Sequence, residues 1–231
     1  MTTGRQRQEW EPELSDQNRV VVMKSSSPSA IEWAAERLAQ GGVIALPTDT
    51  VYGIAASLSH PKALRRIYDI KGRLPGKPLP VLVSSPQAAE RLVLEFSHDI
   101  ALLLDRFWPG PLTVVLPARR GMPAEVTAGG DTVGLRMPNH PLAIEVIAKA
   151  GGAVACTSAN VSGDEPACSA AEVASAIGDS LDLILDGGVA PGGVPSTVIA
   201  VDADGLRVLR EGAIPANVLR QTWTELMTAH Q

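Results

Sequence analysis

Apolar positions along this chain alternate between short strand-like runs and helical stripes. Residues 20–23 form a first apolar run. Ile31, Ala34, Ala35 and Leu38 then recur at i, i+3, i+4 and i+7, the spacing of one helix face, with Ser27-Pro28-Ser29 as a cap and Gly41-Gly42 as the stop. Residues 43–46 read as a buried strand running into Pro47-Thr48-Asp49-Thr50, and residues 51–57 as another extended segment. Pro61 opens a helix with Leu64, Ile67 and Tyr68 on one face and Gly72 at its end. The same reasoning predicts strands over 80–84, 112–116, 132–137, 153–157 and 181–185. Helices are expected over 86–95, 98–107, 141–150 and 169–177. A glycine- and proline-rich loop covers 187–195. Strands over 196–201 and 206–209 flank Asp202-Ala203-Asp204-Gly205, a hairpin signal, and a weak helix closes the chain over 215–229.

Strands alternate with helices and no linker-like composition divides the interior, which predicts a single α/β domain. The hairpin and the closely spaced strands predict a twisted sheet of mixed parallel and antiparallel strands flanked by helices. Residues 1–18 are polar with little periodicity and are expected to be a flexible extension. Residues 19–215 form the domain, and 216–231 a C-terminal helix and tail.

Composition narrows the function. Hydrophobic residues make up 45% of 231, but aromatics only 3%, which argues against a base-stacking surface for single-stranded nucleic acid. Cys156 and Cys168 are too few for a disulfide framework or a four-ligand zinc site. The sequence predicts neither a secretory leader nor a membrane span, and the expected location is cytoplasmic. Charge is uneven. Lys62, Arg65, Arg66, Lys71, Arg73 and Lys77 stand against Asp69 alone, a window of net +5 in a chain of net −5. A concentrated positive site on an acidic body suits a small polyanion such as a nucleotide, although a solvated basic helix face explains the charge equally well.

The familiar phosphate and hydrolase motifs are absent. Gly72 to Lys77 has the wrong glycine spacing for a P-loop, and Pro78 stands where Ser or Thr should meet magnesium. No Gly-x-Gly-x-x-Gly follows a predicted strand, and His60, His98, His140 and His230 are scattered. What remains is a set of loops at strand ends carrying hydroxyls, amides and cations: 47–50, 71–77, Arg136, 158–160, Ser196-Thr197 and Arg210. Taken singly, each can be a turn, a cap or an ion pair. On open α/β sheets, though, ligands bind where such loops gather.

These stretches carry a resemblance. Residues 47–53 (Pro-Thr-Asp-Thr-Val-Tyr-Gly), Lys71-Gly72-Arg73 with Lys77-Pro78-Leu79, Trp108-Pro109-Gly110-Pro111-Leu112-Thr113, residues 133–138 around Arg136, residues 157–163 (Thr-Ser-Ala-Asn-Val-Ser-Gly), Ser196-Thr197-Val198 and Leu209-Arg210-Glu211-Gly212 occur in the order of one family. Over roughly residues 20–215 the chain resembles the YrdC-like threonylcarbamoyl-AMP synthases in their short, TsaC-type form. The resemblance implies synthesis of threonylcarbamoyl-AMP and pyrophosphate from L-threonine, bicarbonate and ATP with magnesium, ahead of threonylcarbamoyladenosine (t6A) formation in tRNA. It implies catalytic roles for Lys71 and Arg73. Lys71, Arg73, Lys77, Thr132, Ser158, Asn160, Cys168 and Arg210 would bind ATP, while Thr50, Arg136, Ser158 and Ser196 would bind threonine. No side chain is assigned to a metal. A downstream tRNA threonylcarbamoyl-transfer complex and weak tRNA contact are the expected partners. The chain departs from the family at Leu82, where long-form members tend to have a histidine, and at Lys77, Glu211 and Cys168. Two other readings are a carbamoyl-transfer module of the same fold and a non-catalytic binder of structured RNA. The first usually sits inside much larger chains; the acidic total speaks against the second.

Overall fold

The computed structural model describes residues 20–27, 29–73, 76–202 and 205–229. The expectation of a flexible extension over 1–18 falls outside them. Ten strands form one sheet: β1 (Val22–Lys24), β2 (Ile44–Leu46), β3 (Gly53–Ser57), β4 (Val81–Val83), β5 (Leu112–Pro117), β6 (Thr132–Arg136), β7 (Ala153–Ser158), β8 (Leu183–Asp186), β9 (Thr197–Asp202) and β10 (Gly205–Arg210). Their order is β1-β8-β2-β3-β7-β4-β6-β5-β9-β10. Pairings β1/β8, β2/β8, β4/β6 and β5/β9 are parallel and the rest antiparallel, so the expected mixed sheet is present. β9 and β10 pair antiparallel where the hairpin was expected, with Gly205 opposite Asp202.

The helices are α1 (Ala30–Ala39), α2 (Pro61–Lys71), α3 (Pro86–Glu90), α4 (His98–Phe107), α5 (Ala124–Thr127), α6 (Pro141–Lys149), α7 (Ala170–Ile177) and α8 (Ala216–Ala229). They divide between the two sheet faces. Ala30, Ala34 and Leu38 of α1 pack with Ala143, Val146 and Ile147 of α6 over Ile44, Leu46, Ala55 and Leu183. Residues from α2, α3, α4, α5, α7 and α8 pack over the opposite face, onto Ala45, Ile54, Ala56, Val81, Val114 and Leu135. Successive residues of a strand point to opposite faces, so strands covered on both sides read as unbroken apolar runs.

Two expectations need adjustment. The helix expected over 86–95 stops at Glu90, because residues 92–94 pair with the end of β5. Val93 bridges Ala118, Leu94 N–H donates to the Pro117 carbonyl at 2.9 Å, and Arg119 N–H donates to the Leu92 carbonyl at 2.8 Å. Helix α5 was not expected: at four residues it is too short to show a helical period.

The sheet's alternation prepares the site. In β5, Leu112, Val114 and Leu116 enter the core under α4, which turns Thr113 and Val115 the other way. In β6, Val133 and Leu135 do the same and leave Thr132, Gly134 and Arg136 on that second face. Beyond α1 and α6, then, this face carries polar side chains, Thr113, Thr132 and Arg136, among apolar ones such as Val115 and Leu82.

Candidate functional site

These outward residues floor a cavity of about 280 Å³. Its walls are Thr48, Thr50 and Gly53 from the β2–β3 region, Pro78, Pro80 and Leu82 around β4, and Cys156, Thr157 and Ser158 from β7. Ser196, Val198 and Arg210 close the far side. Strand pairing explains how distant segments meet: β3, β7, β4, β6, β5 and β9 are consecutive neighbours in the sheet.

Arg136 is the best-anchored cation. Nε donates to the Gly110 carbonyl at 3.1 Å, Nη1 to Thr50 Oγ1 at 3.1 Å, and Nη2 to Asp49 Oδ1 at 2.5 Å. The turn at residues 108–111 supplies that carbonyl, held by Gly110 N–H on Met137 O at 2.8 Å. Thr50 is set in turn by Thr48, whose Oγ1 lies 3.0 Å from Thr50 Oγ1 and accepts from Thr50 N–H at 3.1 Å. Three of the five guanidinium N–H groups are thus engaged among the described residues. The two that remain, one on each terminal nitrogen, suit the two oxygens of a carboxylate.

Arg210 faces the same cavity without a carboxylate partner among the described residues. Nη2 donates to the Ser196 carbonyl at 2.7 Å, and Ser196 Oγ lies 2.8 Å from Thr113 Oγ1. Burial lowers the Arg210 pKa, and the nearby Arg136 charge lowers it further. An anion placed between the two guanidiniums relieves both costs.

Lys71 ends α2, where Gly72 takes the left-handed conformation (φ 56°) that an L side chain rarely adopts. Its ammonium, on a residue only 4% exposed, donates to the carbonyls of Ser158 (2.7 Å) and Asn160 (2.9 Å) and to Asn160 Oδ1 (2.9 Å). Ser158 Oγ donates to the same Asn160 Oδ1 at 2.6 Å. Asn160 Nδ2 donates to the carbonyls of Val161 and Asp164, so every polar atom of its side chain is engaged. Burial, and after it the Arg73 charge, pulls the Lys71 pKa down to about 8, with the nearby Cys156 opposing that shift. Lys71 and Asn160 therefore hold the loop that presents Ser158 to the cavity.

Of the residues assigned from the sequence, Thr50, Thr132, Arg136, Ser158, Ser196 and Arg210 line the cavity together. Lys71 and Asn160 adjoin it through Ser158. Arg73 is half-buried beside them, its guanidinium over the Tyr68 ring at 5.9 Å. Lys77 is exposed and Cys168 lies against Gly192; neither is a wall residue. Thr48, Asp49 and Thr113 lie inside stretches that the sequence singled out, but sequence reasoning gave none of them a role of its own. Asp49 was the only acid among residues 43–57, and Thr113 interrupted an apolar strand, which were the available signals. Leu82, 4% exposed, is a wall residue, as its flagged position suggested. Cys156 is also in the wall, and burial pushes its thiol up to about 12, so it serves as a small apolar surface.

The fold and site define an α/β protein with an arginine-lined cavity on one face of a mixed sheet. Residues 36–212 match the Sua5/YciO/YrdC family model, described as telomere recombination, and the chain belongs to that family. It is 37% identical over 199 residues to the threonylcarbamoyl-AMP synthase of Pyrococcus abyssi, covering 84% of this chain and 58% of that one. With the Bacillus subtilis threonylcarbamoyl-AMP synthase it shares 38% over 191 residues, covering 82% and 55%. The chain thus spans somewhat over half the length of these relatives. The crystal structure of P. abyssi Sua5 complexed with L-threonine superposes with a TM-score of 0.82 at 35% identity, over 87% of this chain and 60% of that one.

Proposed function

We propose that this chain is an L-threonylcarbamoyladenylate synthase, a nucleotidyltransferase that joins L-threonine, bicarbonate and ATP. The observation that carries the reading is the placing of Arg136 and Arg210 on one cavity, where the one carboxylate paired to either of them among the described residues is Asp49, on Arg136. Such a site has charge to spare for two anionic reactants. The names of its relatives and the threonine complex of P. abyssi Sua5 support the choice of reactants.

In this reading the threonine carboxylate takes the two free N–H groups of Arg136, with Thr50 and Ser196 beside it. The amine condenses with bicarbonate, releasing water and leaving a carbamate. A carbamate oxygen then attacks the α-phosphorus of ATP; the P–O bond to the β-phosphate breaks and its electron pair leaves with pyrophosphate. Repulsion between carbamate and triphosphate is the main barrier, which fixed cations lower. Arg210 faces the triphosphate directly, Arg73 approaches from the 71–77 loop, and Lys71 contributes its charge from behind Ser158. Thr132 and Asn160 flank the nucleotide; Lys77 and Cys168 stand farther out.

Magnesium would enter as the ATP complex and screen the phosphates. The described residues contain no group of three or more His, Cys, Asp or Glu side chains able to hold an ion, and magnesium bound with a nucleotide keeps several of its ligands on phosphates and water. The product is an activated acyl-adenylate, and its consumer would be a tRNA-modifying threonylcarbamoyl-transfer complex, with tRNA contact here at most weak. No helix among the described residues is long and apolar enough to cross a membrane, in keeping with a cytoplasmic role.

The test is incubation with ATP, magnesium, labelled bicarbonate and threonine. Label should appear in an acyl-adenylate, with one pyrophosphate released per adenylate. Pyrophosphate release that continues without threonine or bicarbonate would refute the assignment.

A further inference from the structure

Tyr68 lies outside the cavity and has no role so far, yet the ends of the cationic loop converge on it. It sits in the last turn of α2 and is 8% exposed. Its carbonyl accepts from Arg73 N–H at 3.0 Å. Its ring carries the Arg73 guanidinium, 5.9 Å from Cζ to the centroid. Its hydroxyl oxygen lies 2.7 Å from the Lys77 carbonyl oxygen and 2.8 Å from that of Glu125, which also accepts from Leu79 N–H at 3.0 Å. One side chain therefore fastens the loop where it leaves α2 and where it approaches β4.

Arg73 has little else to hold it. Its one other contact among the described residues is a long bond, 3.4 Å, to the Pro78 carbonyl, and no carboxylate pairs with it. A guanidinium on an aromatic face is confined in position while its N–H edges stay open for phosphate oxygens. A carboxylate partner would confine it too, but would cancel the charge the reaction needs.

We propose that Tyr68 is a positioning residue that presents Arg73 to the phosphates of the nucleotide. The inference rests on the synthase reading for its ligand. The hydroxyl sets the course of the loop and the ring sets the guanidinium, so the two contributions separate by substitution. Threonine contacts, built on Arg136 and Thr50, are independent of both.

The test compares Tyr68→Phe, Tyr68→Leu, Arg73→Met and the Tyr68→Leu/Arg73→Met double variant in calorimetric titrations with ATP and in steady-state turnover. Tyr68→Leu should weaken ATP binding by about tenfold and Tyr68→Phe by about threefold, with the KM for threonine unchanged. In the Arg73→Met background, Tyr68→Leu should cost little more, because its effect runs through Arg73. Additive losses, or a threonine KM that rises along with that of ATP, would overturn the proposal, since a loosened fold predicts both. If the wild-type chain binds ATP but forms no acyl-adenylate, the synthase reading fails while the ATP titrations still decide the role of Tyr68. A wild-type chain that binds no ATP overturns both.

Discussion

Replacing Arg210 by Met separates what the cavity needs for folding from what it needs for its ligand. In the folded chain the guanidinium has a 2.7 Å bond to the Ser196 carbonyl and sits near Arg136 without a carboxylate of its own. Losing one such bond costs about 1 kcal/mol net, and relief from the Arg136 charge offsets part of that. Stability should therefore change by no more than about 1 kcal/mol. A charge-assisted bond to phosphate contributes about 1.5–3 kcal/mol, so ATP binding should weaken by about 10- to 150-fold. Arg210 is only partly desolvated at its guanidinium and remains exposed as a residue, so screening favours the lower part of that range at physiological salt. Urea unfolding and calorimetric titration with ATP measure the two quantities on the same sample. A variant that loses more than about 3 kcal/mol of stability yet binds ATP normally would refute the reasoning, because Arg210 would then be a structural cation.

Asp49→Asn leaves the Arg136 guanidinium, whose side chain is 9% exposed, without its ion-pair partner, and should cost about 3–5 kcal/mol in chemical denaturation while raising the KM for threonine. Lys71 gives a pH signature: its folded pKa of about 8 is depressed from 10.5, so its charge costs stability below about 8 and that cost disappears as pH rises towards 10.5. ATP affinity should move the opposite way, falling above about pH 8 as the ammonium deprotonates, and titrations on both sides of that value that agree would remove Lys71 from the phosphate field. Gly53→Ala puts a Cβ 2.5 Å from Cys156 Sγ in a buried wall and should destabilise by about 1–3 kcal/mol. Adding Cys156→Ala should recover most of that loss, and unfolding curves showing simple additivity would contradict the close approach.

Most elements were legible because their periodicity is strong. α1 and α2 announced their buried stripes, and β2 its continuous burial. What the sequence could not show was adjacency between remote strands. β5 lies beside β9 and β3 beside β7, pairings of segments roughly eighty to a hundred residues apart, and nothing local in either partner encodes them. The site was legible through its cations and hydroxyls, because Arg136, Ser196 and Arg210 fall in loops or at strand ends, where ligands gather on open α/β sheets. Its buried supports were not. Asp49 reads as a turn residue until Arg136, 87 positions away, is seen bonded to it, and Tyr68 reads as an ordinary core aromatic until its hydroxyl is followed to Lys77 and Glu125.

The central claim is that both anionic reactants occupy one cavity together. Manganese-bound ATP measures that directly, since the paramagnetic ion relaxes nuclei near it. The methyl protons of threonine should relax strongly with the wild-type chain and bicarbonate present, and only weakly with Arg210→Met. Threonine that binds with unaltered relaxation would put the two reactants in separate places and contradict the account.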